Sequence, residues 1–133
     1  MRGRFIQAAE VERDQLNWGS LAWFSRPATT GATALVVIEV TLSPGGGHNF
    51  HIHPDQEESI YVIEGRIEQW LEMDSRELAA GSAVFIPKNT VHGCFNTSQQ
   101  EARLLAILGP CVGSEGYETV DVSAEPPWST LRS

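Results

Sequence analysis

The sequence has little of what marks a disulfide-stabilised, membrane-bound or secreted protein. Its 133 residues include only two cysteines, Cys94 and Cys111, which are too few for a disulfide framework. No apolar run approaches the roughly 20 residues that a membrane-spanning helix needs. Residues 1–7 also lack the apolar core of a signal peptide. We therefore expect a cytoplasmic protein with reduced thiols and no membrane partner.

Basic side chains are also scarce. Lysine and arginine together number 9 against 17 acidic residues, which gives a formal net charge of −8. Binding to nucleic acid or to an anionic membrane relies on a basic surface, so we expect neither partner. Lys88 is the only lysine, which disfavours a sugar phosphate. The expected partner is instead a neutral or weakly anionic small-molecule substrate or ligand.

Patterns typical of short β-strands recur along the chain, whereas the best helical candidate, residues 8–16, is short and weakly amphipathic. The strand patterns are β-branched or alternating runs that end near glycine, proline or asparagine. They cover residues 35–42, 60–63, 66–73, 83–86, 91–95 and 103–108. This spacing predicts an all-β sandwich or barrel. No repeat or low-complexity tract divides the chain, so we expect a single domain over residues 1–133.

Residues 114–133 are predicted to form an irregular C-terminal segment. Trp128 follows two prolines in this segment, and a tryptophan there indicates that the segment is anchored to the body of the protein. Two placements stay open. The segment either covers the mouth of the fold, where it would set specificity, or packs on the outside of a sheet.

Three of the four histidines and one glutamate have a spacing suited to a metal site. His51 and His53 are two residues apart in a segment that we expect to be extended, so their rings share one face with Cα atoms about 7 Å apart. Glu58 lies on an apolar strand face, where a carboxylate needs a cation. His92 supplies a third imidazole from another strand. In an alternating strand the side chain of His48 points to the side opposite His51 and His53, so we expect it at the rim or in solvent.

Two motifs contain these residues. They are Gly45-x5-His51-x-His53-x4-Glu58-x6-Gly65 and Gly81-x5-Pro87-x-Asn89-x2-His92-x3-Asn96. In order and spacing they resemble the two motifs of the cupin family, over residues 45–65 and 81–96. The one departure is Asn89, where the family usually has glycine. Asparagine is the next most tolerant residue of a left-handed backbone, so the turn can be kept.

This resemblance carries specific expectations about fold and site. It implies a cupin-type jelly-roll β-barrel, in which two antiparallel sheets enclose a cavity. It also implies one metal ion with four protein ligands. Those ligands are His51, His53, Glu58 and His92. Many cupins pair through their N-terminal strands, so a homodimer is expected.

The implied ligand set bears on the cofactor and the chemistry. Three neutral imidazoles and one carboxylate leave a divalent ion with one net positive charge and, in octahedral geometry, two open positions. Mixed nitrogen and oxygen ligation fits Fe, Mn, Ni, Co or Zn better than Ca or Mg. We expect a metalloenzyme acting on a small organic molecule, with a dioxygenase-type oxidoreductase favoured. A non-redox isomerase, lyase or cyclase and a non-catalytic small-molecule-binding protein stay open, because cupins host all three.

Three further residues are candidates for catalytic roles. Gln69 shares an otherwise apolar strand face with Met73, and a buried amide needs a partner. Cys94 is on the same strand face as His92 and is either a packed or a reactive thiol. Arg103 either points inward as a carboxylate clamp or, as we favour, outward into solvent. Aromatic residues could line a mouth or pack between sheets; they are Trp18, Trp23, Phe50, Tyr61 and Phe85.

Overall fold

The computed structural model describes residues 2–132, and its regular structure is almost entirely β. The strands are β1 (Glu12–Leu16), β2 (Gly19–Ser25), β3 (Val36–Leu42), β4 (Gly47–Ile52), β5 (Glu57–Glu64), β6 (Arg66–Leu71), β7 (Asp74–Ala79), β8 (Ala83–Ile86), β9 (His92–Phe95), β10 (Ala102–Gly109) and β11 (Val120–Asp121). A 3₁₀ helix, Ala8–Glu10, and a short helix α1, Pro27–Thr30, accompany them. The predicted all-β fold is confirmed. Within the described part of the chain, no helix has the length and apolar character needed to cross a membrane.

The strands form two antiparallel sheets. The six-stranded sheet, called sheet A, has the order β1-β2-β3-β10-β5-β8, and the five-stranded sheet B has the order β11-β4-β9-β6-β7. Neighbouring strands are antiparallel throughout. The prediction of two antiparallel sheets is therefore confirmed. The extent of the single domain over residues 1–133 stays a prediction, and its first and last residues lie outside the described range.

The main core lies between the two sheets. In β3 the side chains alternate, and Val36, Ile38, Val40 and Leu42 are buried on one face. Complete burial of an aliphatic side chain of this size contributes about 1.5–3 kcal/mol. The remaining aliphatic members of this core are Ile60, Val62, Ile67, Ile86, Ala102, Leu104, Ala106 and Leu108. The inward faces of the strands are thereby fixed, and with them the direction of every polar side chain on those faces.

The strand boundaries differ from the predicted ones where apolar alternation gave no signal. The predicted strand 66–73 ends as β6 at Leu71, because Glu72 has a φ of 55° and begins a turn. Met73 is 61% exposed, so its predicted place on the inward face is wrong. β1 replaces the end of the helical candidate 8–16. Both β1 and β7 consist mainly of exposed polar residues, which is why neither was predicted.

The C-terminal segment packs on the outer face of sheet B. There a second apolar cluster, called the outer cluster, forms around three buried residues: Phe50, Phe95 and Val122. Trp128 and Leu131 from the C-terminal segment pack against it. Of the two placements left open by the sequence, Trp128 and Leu131 have the one outside the sheet, whereas Tyr117, near the start of the segment, packs against the main core. Residues 114–132 are otherwise irregular apart from β11 and one bridge, as predicted, and Ser133 lies outside the described residues.

Candidate metal centre

The residues predicted to bind metal converge inside the fold. One nitrogen or oxygen atom from each of them lies within 4.8 Å of the other three, and all four residues are buried. They are His51 on β4, His53 just after β4, Glu58 on β5 and His92 on β9. The structure thus brings the complete predicted set together from both sheets.

Strand pairing explains this convergence. β4 pairs with β9 in a register that places His51 opposite His92. His53 is two residues beyond His51 and therefore lies on the same side of the extended chain. Glu58 belongs to the inward face of β5, which alternates between buried and exposed residues, and it pairs with Leu108 of β10. Each ligand position thus follows from alternation within a strand whose other inward residues form the core.

The three histidines are oriented by hydrogen bonds to the backbone. In each ring Nδ1 lies against a carbonyl oxygen. The contacts are His51 with Asn49 O at 2.6 Å, His53 with Glu118 O at 2.9 Å, and His92 with Thr90 O at 3.0 Å. A carbonyl oxygen only accepts hydrogen bonds, so Nδ1 must carry the proton. Each neutral ring then presents the lone pair of Nε2 to the centre, which is the usual orientation of metal-binding histidine.

The carboxylate of Glu58 faces these lone pairs. Its Oε1 atom lies 2.9 Å from Nε2 of His92 and 3.3 Å from Nε2 of His53. Glu58 Oε1 and His92 Nε2 are both buried and have no hydrogen-bond partner among the described residues. Electron-rich atoms buried this close together need a positive charge between them. The donor set of three imidazole nitrogens and one carboxylate oxygen therefore fits a divalent transition-metal ion.

Glu58 and the histidines of the centre shift one another's pKa values: burial would lower the pKa of His53, but the adjacent Glu58 carboxylate outweighs burial and raises it. Burial by itself would raise the pKa of the Glu58 carboxyl, but a proton on Nε2 of His53 or His92, whose place a metal ion would take, outweighs burial and holds that pKa well below its usual range. Burial lowers the pKa of His51 well below the ordinary histidine value. Near neutral pH the centre therefore holds an ionised carboxylate and a neutral His51 imidazole.

A cavity of about 260 Å³ opens onto the centre, and His51, His53 and Glu58 form part of its surface. Aromatic and aliphatic side chains make up most of the wall. They include Trp18, Trp23, Tyr117, Leu21, Ile38 and Val40. No lysine or arginine is among the described residues that line it. The cavity therefore offers a mainly apolar surface next to the four converging residues.

His48 also lies in this cavity, contrary to the prediction that its alternation separates it from the other histidines. The pairing of β4 with β9 shifts register between His48 and His51, as a β-bulge does. The extra residue returns His48 to the inward side, where its ring stacks on that of His51 with centroids 3.7 Å apart. Burial lowers the pKa of His48 to about 4, so the ring is neutral at physiological pH. It is still not one of the four converging residues.

Two of the catalytic candidates face inward without lining the cavity. Gln69 is buried, its Nε2 donates to the carbonyl of Trp70 at 3.0 Å, and its Oε1 has no partner among the described residues. Cys94 packs in the main core beside apolar side chains. Burial raises the pKa of its thiol to about 12. A thiol with this pKa stays protonated at neutral pH, which favours a packing role.

Arg103 lies on the outer side of sheet A. Its guanidinium contacts Glu64 at 3.0 Å and Glu39 at 3.4 Å, and these ion pairs keep it on the surface. The inward alternative, in which Arg103 would hold a substrate carboxylate, is therefore wrong. Leu104 and Ala106 on the same strand are the buried neighbours, so β10 directs Arg103 outward by simple alternation.

Two residues from other parts of the chain complete the surroundings of His53. The ring of Tyr117 lies 5.6 Å from that of His53 and lines the cavity. The buried side chain of Gln56 donates to the carbonyls of Pro110 and Gly116 at 2.7 and 2.9 Å. It thereby holds the segment that carries Tyr117. Neither residue is recognisable from the sequence, because nothing local in it indicates that residues 110–118 fold back onto the first motif.

Comparison with known proteins agrees with this architecture. The family model described as "Cupin domain" matches residues 38–108. Two solved structures share the fold: the polyketide cyclase RemF from Streptomyces resistomycificus and an RmlC-like cupin from Shewanella frigidimarina. RemF has a TM-score of 0.75 and 22% identity, and the match covers 98% of this chain and 99% of RemF. The Shewanella cupin has a TM-score of 0.70 and 18% identity, and the match covers 84% of this chain and 95% of the Shewanella chain. The predicted cupin-type jelly roll is confirmed.

A relative found by sequence comparison shares a higher sequence identity with this chain than these two solved structures do. A Streptomyces cyaneus protein named polyketide synthase CurC is 32% identical over 124 residues, which cover 93% of this chain and 80% of the relative. The family model alone spans more than half of the chain and includes all four residues of the metal centre. By family model, sequence relative and fold together, this chain belongs to the cupin family.

Proposed function

We propose that the chain is a metal-dependent enzyme that cyclises a polyketide intermediate without net oxidation. This is the non-redox alternative that the sequence left open. The observation that carries the proposal is the group of three histidines and one glutamate beside a cavity whose described lining residues include no lysine or arginine. The names of two similar proteins, polyketide synthase CurC and polyketide cyclase RemF, support the choice of substrate class.

The chemistry of a polyketide suits this cavity. Such a chain carries ketone groups on alternate carbons, is uncharged along its length and becomes planar where it enolises. A 1,3-dicarbonyl unit has two neighbouring oxygens that a divalent metal ion could attract. A divalent ion held by the four residues would polarise those oxygens and make the intervening CH₂ group more acidic.

The reaction balances without an oxidant. A C–H bond of one CH₂ group breaks, and that carbon forms a C–C bond to a ketone carbon elsewhere in the same chain. The ketone oxygen takes up a proton and becomes a hydroxyl group, and its later loss as water leaves a ring double bond. Dioxygen is neither consumed nor needed.

The residues of this chain would bind, orient and shield such a substrate. Trp18, Trp23 and Tyr117 line the cavity and offer aromatic surface that can contact a planar enol. Nε1 of Trp23 donates to Oδ2 of Asp14 at 2.9 Å, which fixes the indole plane. Holding the chain folded brings the two reacting carbons together, the main contribution that a protein makes to an intramolecular condensation.

The experiment that tests the proposal supplies an uncyclised polyketide and examines the product with and without oxygen. The chain is co-expressed with a minimal polyketide synthase, and then the purified proteins are combined under air and under argon. We expect a cyclised product to form at equal rates under both gases. Oxygen uptake with product formation only under air would support the dioxygenase-type alternative instead. Tight substrate binding without turnover would support a non-catalytic role.

Two glutamates on β5 provide a matched pair of variants for this experiment. Glu58→Gln removes a centre carboxylate, whereas Glu57→Gln changes the exposed neighbouring residue in the same strand. We expect E58Q to lose cyclisation and E57Q to keep it. Equal activity of the two variants would contradict a role for the metal centre.

Three sequence predictions accompany this proposal and stay predictions. They are a homodimer, a cytoplasmic location, and a metal drawn from Fe, Mn, Ni, Co and Zn. Light scattering tests the first, fractionation of the native host the second, and elemental analysis of the purified protein the third.

A further inference from the structure

His48 is the one histidine of the chain that the metal centre does not use. It nevertheless lines the cavity beside the centre. Its ring is nearly parallel to that of His51, with an interplanar angle of 18°, and lies at 11° to the ring of Trp18, whose centroid is 5.5 Å away. The imidazole is thus held between Trp18 and His51 with its plane fixed.

The ring nitrogens of His48 differ from those of the other histidines. In His51, His53 and His92, Nδ1 is bonded to a backbone carbonyl and Nε2 faces the centre. No hydrogen bond within the described part of the chain holds either ring nitrogen of His48. Its nitrogens are not among the buried side-chain atoms that lack a partner, so they are accessible, and the residue itself lines the cavity. A polar group that is fixed in place and open to a cavity is available to a ligand.

We propose that His48 contacts the substrate directly and hydrogen-bonds an oxygen next to the pair that approaches the metal. The proposal rests on the proposed function, because it assumes a neutral substrate with several carbonyl or enol oxygens in a row. A neutral imidazole has one N–H donor and one acceptor nitrogen, so it can pair with a ketone or with an enol hydroxyl. The stacked rings of Trp18 and His51 restrict the orientation of the imidazole.

The charges around the cavity narrow the substrate class further. Asp14 and Glu58 are the acidic residues that line it, and no described lining residue is basic. A substrate with a free carboxylate or phosphate would meet acidic groups there. A planar, uncharged polycarbonyl compound or hydroxyquinone meets aromatic faces, one imidazole edge and the metal. The cavity therefore favours a substrate that binds through neutral oxygens.

Binding of a planar probe separates hydrogen bonding by His48 from simple filling of space. The probe is 1,8-dihydroxyanthraquinone, an uncharged compound with hydroxyl and ketone oxygens in a row, and its affinity for the cobalt-loaded protein is measured by quenching of tryptophan fluorescence. His48→Phe keeps a flat ring without polar atoms, and His48→Gln restores a donor and an acceptor. We expect the Kd of H48F to rise about tenfold, as expected for loss of one hydrogen bond, and that of H48Q to stay within about threefold of the wild type.

Two results would overturn the proposal. One is a Kd of H48F equal to that of the wild type. The other is an equal loss of affinity in H48F and H48Q, which would show that the ring only packs. Cobalt content and the visible cobalt spectrum are measured on each variant and are expected to match the wild type, because His48 is outside the ligand set. Probe binding involves no turnover, so loss of cyclisation alone would count against the proposed function and not against this contact.

Discussion

Oε1 of Glu58 lies 2.9 Å from Nε2 of His92 in the interior, and neither atom has a hydrogen-bond partner among the described residues. The imidazole of His92 already donates from Nδ1 to the carbonyl of Thr90 at 3.0 Å. In the neutral ring, a lone pair of nitrogen therefore meets a lone pair of oxygen. A cation satisfies both atoms at once, and this relationship is the physical basis of the metal centre.

The first prediction concerns stabilisation by metal. Because a metal ion binds the folded chain, saturating metal at about 100 times its Kd should stabilise the wild type by about 2.7 kcal/mol. Glu58→Gln removes the negative charge and should lose most of this increment. Thermal unfolding with and without added Co²⁺ measures it, and Glu57→Gln is the matched control. A metal-dependent increase in Tm as large in E58Q as in E57Q would be inconsistent with the ligand assignment.

The second prediction concerns Gln56, which holds the segment behind His53. Gln56→Ala removes hydrogen bonds to the carbonyls of Pro110 and Gly116 and leaves both without this donor. We expect a loss of about 1–3 kcal/mol in unfolding free energy. Because Glu118 in this segment orients His53, metal affinity should fall about tenfold.

Gln15 provides the control for this variant. It lies on the exposed strand β1, and its amide donates to the carbonyl of Gly19 and not to the segment 110–118. Gln15→Ala should leave metal affinity unchanged. If Q56A destabilises the fold while binding metal as tightly as Q15A does, the segment has no part in orienting His53.

The third prediction concerns the C-terminal segment. Trp128 packs on the outer cluster from the side opposite the cavity. Trp128→Ala should lower the unfolding free energy by about 2–3 kcal/mol, less than for a fully buried tryptophan because this one is partly exposed. Chemical denaturation measures the loss, with the exposed Ser129→Ala as control. Metal content and probe affinity should not change; a specific loss of probe affinity in W128A would instead place the segment at the cavity mouth.

The fourth prediction concerns the two thiols, both of which are free. With a pKa of about 12, the Cys94 thiol is ionised in only about one molecule in ten thousand at pH 8. Cys111 is partly exposed. Iodoacetamide should therefore label the native chain once, at Cys111, and Cys111→Ser should remain unlabelled until it is unfolded. Rapid labelling of Cys94 in the folded protein would instead support a reactive role for this thiol.

The metal centre could be predicted from the sequence because its geometry is local. His51 and His53 are related by strand alternation alone, and Glu58 follows within one turn. Only His92 comes from a distant segment, and it was identified through the spacing of the second motif. Strand alternation and motif spacing together therefore sufficed for all four residues.

Other features depended on relationships that the sequence does not display. A β-bulge in β4 turns His48 to the opposite side of the strand from the one that alternation predicts, and no residue in that segment indicates the bulge. Residues 104–108, which follow Arg103 in β10, are all apolar. Alternation there does not show which side chains face inward until the neighbouring strands are known. Tyr117 and Gln56 meet only through long-range folding of residues 110–118. These features include part of the cavity lining, and the sequence alone could not name a substrate beyond a neutral or weakly anionic small molecule.

The most direct test of the account is the metal content of the protein purified without a metal-binding tag, measured by elemental analysis of the wild type, His51→Ala and Glu58→Ala. The account predicts about one transition-metal ion per chain in the wild type and almost none in either variant, because each removes one of four ligands around a single ion. Full retention of metal in both variants, or a wild type that takes up no transition metal when it is supplied, would contradict it.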